Sequence, residues 1–145
     1  MAATVNDLSF DDLAEGLEDE VEWTVTEGEI DAFAELSGDV NPLHMDQTYA
    51  RDAGYDGRVA HGFLLGAKLS GLIGTKLPGR RCLLVGQQLD YPNPIYVGDR
   101  ITISGRIADR RDEFNLVTLK VRAAKSARGE TVTVARGTVT CKVLS

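Results

Sequence analysis

The chain has 145 residues, of which 43% are hydrophobic and 26% charged, with a formal net charge of −6. That length suits one domain, residues 1–145, able to bury its own core, and the acidity argues against general nucleic-acid binding. No apolar run is long enough for a spanning helix, so no membrane insertion is expected. Residues 1–40 hold 13 acidic and no basic side chains, whereas the remainder holds 9 acidic and 16 basic ones. A start without Lys or Arg gives no sign of a secretory or transit leader, and a cytoplasmic location is expected. Residues 1–20 read as an acidic lead-in segment. The basic remainder is able to attract a small polyanion, with Lys76, Arg80 and Arg81 among the candidates.

Residues 21–26 alternate and are rich in β-formers, which predicts a strand. Thr26-Glu27-Gly28-Glu29 is a capping-box pattern. It opens a helix with Ile30, Phe33, Ala34 and Leu36 on one face, closed at Ser37-Gly38. A polar segment, Asp39 to Asp46, precedes a short helix over 47–53 closed by Gly54. Residues 61–74 predict a helix with one charge, Lys68, which is the pattern of a buried helix. Its Gly62, Gly66, Gly71 and Gly74 cost helix propensity and imply close approach by another backbone. From Arg81 the period becomes two, with Leu83, Val85, Leu89 and Tyr91 on one face. Pro92-Asn93-Pro94 bends the chain, Gly98-Asp99 turns it, and Arg128-Gly129 marks a hairpin. The apolar phase is even at Val132 and Val134 but odd at Val139, Cys141 and Val143, which predicts a β-bulge near Arg136-Gly137. A strand, helices, one buried helix and four long strands make an α+β domain with a mainly antiparallel sheet curled round the helix.

Two histidines are present, and one closes Asp39-Val40-Asn41-Pro42-Leu43-His44. Pro42 fixes its own φ and extends Asn41, which is also placed to cap a turn. Such a stiff loop can aim a carboxylate and an imidazole at one water, the pairing general acid–base chemistry needs. Read alone, it is more simply a capped turn with a surface histidine. At the mouth of the next helix, Val59-Ala60-His61-Gly62-Phe63 gathers free N–H groups and the helix dipole, and Gly62 leaves room for an oxyanion. Tight packing at Gly62 would explain the same residues. Cys82 and Cys141 read as small buried hydrophobes. Two cysteines and two distant histidines do not make a zinc pattern, and no glycine-rich nucleotide motif is present. Neither metal nor cofactor is expected.

The stretch Phe33-Ala34-Glu35-Leu36-Ser37-Gly38-Asp39-Val40-Asn41-Pro42-Leu43-His44 resembles the signature of the MaoC-like (R)-specific enoyl-CoA hydratases. Arg58-Val59-Ala60-His61-Gly62 and Pro94-Ile95-Tyr96-Val97-Gly98-Asp99 resemble that family too, and the similarity runs from about Val21 to Val143. The resemblance implies a hot-dog fold, a curved antiparallel sheet wrapped round a long central helix. It implies a homodimer or higher homo-oligomer acting on acyl-CoA or acyl-carrier-protein thioesters. Asp39, His44 and Gly62 would be catalytic, the first two holding water and the Gly62 N–H binding the thioester oxygen. Asn41, His61 and Ser70 would contact substrate. The implied reaction is hydration of a trans-2-enoyl-CoA to an (R)-3-hydroxyacyl-CoA, or its reversal. A dehydratase on carrier-protein thioesters, a hot-dog thioesterase and a non-catalytic acyl-CoA-binding subunit are the alternatives.

Overall fold

A computed structural model describes residues 4–145. After a single helical turn at Phe10–Asp12 come strand β1 (Glu18–Thr24) and helices α1 (Glu27–Ser37), α2 (Pro42–Met45), α3 (Gln47–Asp52) and α4 (Gly62–Thr75). Strands β2 (Cys82–Asp90), β3 (Arg100–Arg111), β4 (Leu116–Ala127) and β5 (Glu130–Val143) complete the chain. The expected order therefore holds. The strands form one antiparallel sheet in the order β1-β3-β4-β5-β2.

The sheet face toward α4 is built by period-two patterning. Ile101, Ile103 and Ile107 of β3, Val117, Leu119 and Val121 of β4, and Val139, Cys141 and Val143 of β5 are all buried. They pack in one core with Leu64, Leu65, Leu69, Leu72 and Ile73 of α4. Burying side chains of this size contributes about 1.5–3 kcal/mol each. Arg128 and Gly129 both take positive φ, 53° and 78°, as a two-residue hairpin between β4 and β5 requires. The bulge lies at Val134, where the β4–β5 register slips and Val134 and Ala135 are both buried. It falls two residues before the expected site because Ala135, too small to register as core in the sequence pattern, carries the phase change.

Several expectations are corrected. β1 begins within the acidic segment, at Glu18, because Glu18, Glu20 and Glu22 alternate with Val21 and Trp23 along β3. Leu36 is 84% exposed, so the inner face of α1 is Ile30 and Ala34 with Phe33 beside them. α4 is buried on one face only, with Phe63, Ala67, Ser70 and Gly74 exposed. Nothing lies within 4 Å of where a Cβ would sit on Gly66, Gly71 or Gly74, so these glycines border open space rather than a neighbouring backbone. Leu83 and Val85 are about half exposed, because a bulge at Val85 breaks the alternation of β2. Cys141 is buried and Cys82 partly so, on the neighbouring strands β5 and β2.

The lead-in segment is tied to the far end of α4. The Asn6 N–H donates to Thr75 O at 2.8 Å, the Arg80 N–H donates to Asn6 O at 2.9 Å, and Arg81 Nε donates to Asp7 at 2.7 Å. Leu13 is fully buried. Arg81, one of the candidate phosphate ligands, is thus engaged by this segment, and Lys76 donates to Glu20 O at 3.3 Å.

Candidate active site

The loop after α1 is organised by its own polar side chains. Gly38 ends α1 at φ 80°, a left-handed conformation that a side chain would disfavour. Ser37 Oγ accepts from the Asp39 N–H at 3.1 Å, Asp39 Oδ1 from the Asn41 N–H at 3.2 Å, and Asn41 Oδ1 from the Leu43 N–H at 3.0 Å. Pro42 occupies the first turn of α2. Asn41 thus spends its carbonyl on capping, as its residue type suggests. Asp39 keeps Oδ2 for His44, 3.6 Å from Nε2.

A second segment, 58–61, is laced to this loop. Arg58 Nε donates to His44 O at 2.7 Å, and the Val59 N–H donates to Leu43 O at 3.1 Å. Val59 O lies 2.7 Å from His44 Nδ1, and Asp39 O lies 3.0 Å from His61 Nε2. A carbonyl only accepts, so His44 carries its ring proton on Nδ1 and His61 carries one on Nε2. In the neutral ring, His44 Nε2 is then a bare lone pair facing Asp39. The His44 side chain is 14% exposed and that of Asp39 46%, so the pair sits at a wall with water on the carboxylate side. His61 is buried, with its ring stacked on His44 at 3.9 Å and tilted against Phe33 at 4.8 Å. Its Nδ1 is buried and has no hydrogen-bond partner.

Gly62 is the first residue of α4, with an amide that makes no hydrogen bond among the described residues. A Cβ there would lie 3.1–3.3 Å from the Tyr91 ring, so the ring rests on the glycine. Burial of Tyr91 raises its phenol above the ordinary tyrosine range. Gly62, His44 and Tyr91 line a cavity of about 370 Å³ with Tyr55, Asn93 and Ile95. Asp39 borders a groove of about 500 Å³ with Phe33, Phe63, Gly66, Ala67 and Gln87. The structure therefore gathers Asp39, Asn41, His44, His61 and Gly62. Ser70 stands apart, eight residues along α4 and about 12 Å from Gly62, in a hollow that shares Gln87 with the groove. Arg58, Tyr91 and Gln87 were not expected from the sequence to be site residues. Arg58 had a signal, being a lone cation just before the apolar mouth of α4.

Asp39, His44 and His61 offer ligand atoms within 4.8 Å of one another. The two imidazoles are stacked with only 26° between their planes, so their in-plane lone pairs run side by side. Tetrahedral coordination needs them to converge. The geometry instead suits a protic molecule. Two acceptors 3.6 Å apart, a lone pair and a carboxylate oxygen, match the two hydrogens of one water.

The chain as a whole is similar to known proteins. The family described as "MaoC like domain" matches residues 10–130. The (R)-specific enoyl-CoA hydratase of Aeromonas caviae is 38% identical over 94 residues, 65% of this chain and 70% of that protein. The enzyme of the same name from Rhodospirillum rubrum is 34% identical over 111 residues, 77% of each chain. The unliganded R-hydratase of Pseudomonas aeruginosa superposes with a TM-score of 0.88 at 30% identity, covering 98% of this chain and 88% of that one. With its sheet, its helix and this family match, the chain belongs to the MaoC-like, hot-dog family of hydratases and dehydratases and is a hydro-lyase.

Proposed function

We propose that the chain hydrates trans-2-enoyl-CoA to (R)-3-hydroxyacyl-CoA and catalyses the reverse dehydration. The observation that carries this reading is the facing pair of acceptors, His44 Nε2 and Asp39 Oδ2, with the Gly62 amide unbonded at the mouth of α4 in the cavity that His44 lines. The thioester oxygen accepts from the Gly62 N–H, which withdraws electron density and makes C3 electrophilic. Water held by the pair attacks C3 while one proton passes to the pair, and the enolate so formed takes a proton at C2. The net change is OH on C3 and H on C2, with no other reactant consumed. The pair acts as one unit in this exchange. Asn41 and His61 frame the substrate site, and Ser70 borders the path of the acyl chain. The (R) configuration and the coenzyme A thioester rest on the names of the two relatives above.

The test is the hydration of crotonyl-CoA, followed as loss of the conjugated thioester absorbance without release of thiol. Asp39→Asn and His44→Asn should each lower turnover by about 100-fold or more. Near-normal hydration by either folded variant would sink the assignment, and thiol release by the native protein would favour a thioesterase.

We also propose a homodimer in the cytoplasm. β2 closes the sheet with β5 as its one strand neighbour, and its Leu83, Leu84 and Val85 are 52%, 46% and 52% exposed. An open edge with three adjacent apolar side chains is a surface that a second copy would cover. No helix among the described residues is long and apolar enough to cross a membrane.

A further inference from the structure

The water-activating loop is not held by its own hydrogen bonds alone, and the group that grips it most directly is a cation outside the reacting set. The Arg58 side chain is only 11% exposed. Its Nε donates to the backbone carbonyl of His44 at 2.7 Å. Its terminal nitrogens reach Asp31 of α1 at 2.5 Å, Glu27 of α1 at 3.9 Å and the Met45 sulfur at 3.9 Å. The next residue, Val59, takes the His44 ring proton on its carbonyl. One dipeptide thus holds His44 at both its main chain and its imidazole, and Arg58 anchors that grip to a helix stabilised elsewhere.

We propose that Arg58 is a positioning residue for the reaction: it fixes His44 in the tautomer that leaves Nε2 bare. The physical reason is tautomer preference. An imidazole in water favours the proton on Nε2, and only a well-placed acceptor at Nδ1 reverses this. Val59 O is that acceptor, but it serves only while the His44 main chain stays beside residues 58–59. The Arg58–His44 carbonyl bond is charge-assisted and largely out of water, which makes it stronger than a neutral one. Arginine is required because the fork spans a carbonyl and a carboxylate in one plane, which a lysine ammonium cannot do.

This inference rests on the proposed role of His44, so its test needs one readout that does not depend on turnover. The first readout is nitrogen-15 NMR of the His44 ring, which reports the tautomer directly. Arg58→Met should move the His44 signals toward the Nε2–H form. Unchanged signals in a folded Arg58→Met protein would overturn the proposal even if the protein turned over no enoyl thioester. The second readout is kinetic. Arg58→Met should lower kcat for crotonyl-CoA about 10- to 30-fold with KM within about threefold, as expected for a misplaced but intact base. Arg58→Lys keeps the charge toward Asp31 but lacks the Nε–H, and should remain below about one third of the native kcat. In a His44→Asn background, Arg58→Met should cost less than about twofold more, because a group acting through His44 has nothing left to act on. An equal fold loss in both backgrounds, or a native-like kcat in folded Arg58→Met, contradicts it. Should Arg58→Met fail to fold, Asp31→Asn removes the far anchor at an exposed side chain. That variant should shift the His44 signals the same way and lower kcat about threefold, and no change in either would overturn the proposal.

Discussion

His44 carries its ring proton on the nitrogen turned away from Asp39, and that placement sets what the surrounding atoms can do. In the neutral ring the other nitrogen is a bare lone pair, and Asp39 Oδ2 stands 3.6 Å from it, beyond direct hydrogen bonding. In the same cavity, the Tyr91 ring packs closely over Gly62. A methyl on its α-carbon meets Tyr91 ring carbons at 3.1–3.3 Å, and the ring must move to admit it. Gly62→Ala should therefore lower kcat/KM for crotonyl-CoA about tenfold by disturbing the cavity wall, while the amide donor itself remains. Its thermal midpoint should change little, because the ring that must shift is 45% exposed and the position is the first of the helix, where the glycine penalty of an interior site does not apply. A large drop in midpoint with unchanged kcat/KM would contradict this reading.

At the scale of elements, Glu29 ties three of them together. Its carboxylate accepts from Trp23 Nε1 of β1 at 3.0 Å and from the Thr26 hydroxyl at 3.1 Å, and it pairs with Lys68 of α4. Burial pushes this carboxyl up, but the bonds from Lys68, Trp23 and Thr26 outweigh it and hold it below the ordinary 4.5. A depressed folded pKa means stability that is complete above about 4.5 and is lost as pH falls through the folded value. Glu29→Gln should cost about 1 kcal/mol at neutral pH. Scanning calorimetry at stepped pH should show its deficit against the native protein closing below that range, and a constant deficit down to pH 3 would contradict the assignment. Local chemistry made much of this legible from sequence. Thr26 and Glu29 announced the start of α1, Gly38 its end, and the phase switch along β5 its bulge. Asp39, His44 and Gly62 were legible as candidates only through the resemblance of residues 33–44 and 58–62 to one family, since residue type and spacing alone fit a capped turn and a packing glycine as well. The grip of Arg58 and Val59 on His44 was not. It runs through main-chain carbonyls, which every residue has, and depends on a tertiary contact between segments that leaves no mark in either. The exposure of Leu36 and of the outer α4 face was hidden for a related reason: periodicity names an apolar face but not what covers it.

For the whole molecule, the division between an acidic start and a basic remainder is partly neutralised within the fold, since Asp7 and Glu22 pair with Arg81 and Arg100. The apolar β2 edge has no such answer inside the described chain. Leu84→Glu places a charge on that edge, so sedimentation should show a dimer for the native protein and a monomer for the variant at micromolar concentration. A native monomer, or a variant that remains dimeric, would refute the β2 interface.

The lacing of residues 39–44 to residues 58–61 has one more result. Its four bonds join the two ends of an excursion, residues 45–57, that contains all of α3. The reacting groups stand at the neck of that excursion and not on its tip. Beyond Met45 and Gln47, which contact Arg58, the sequence of the excursion can therefore vary without moving the base. The excursion also supplies Tyr55 to the cavity wall. One stretch of chain can thus be rewritten to admit a different guest while the chemistry at its root stays as it was.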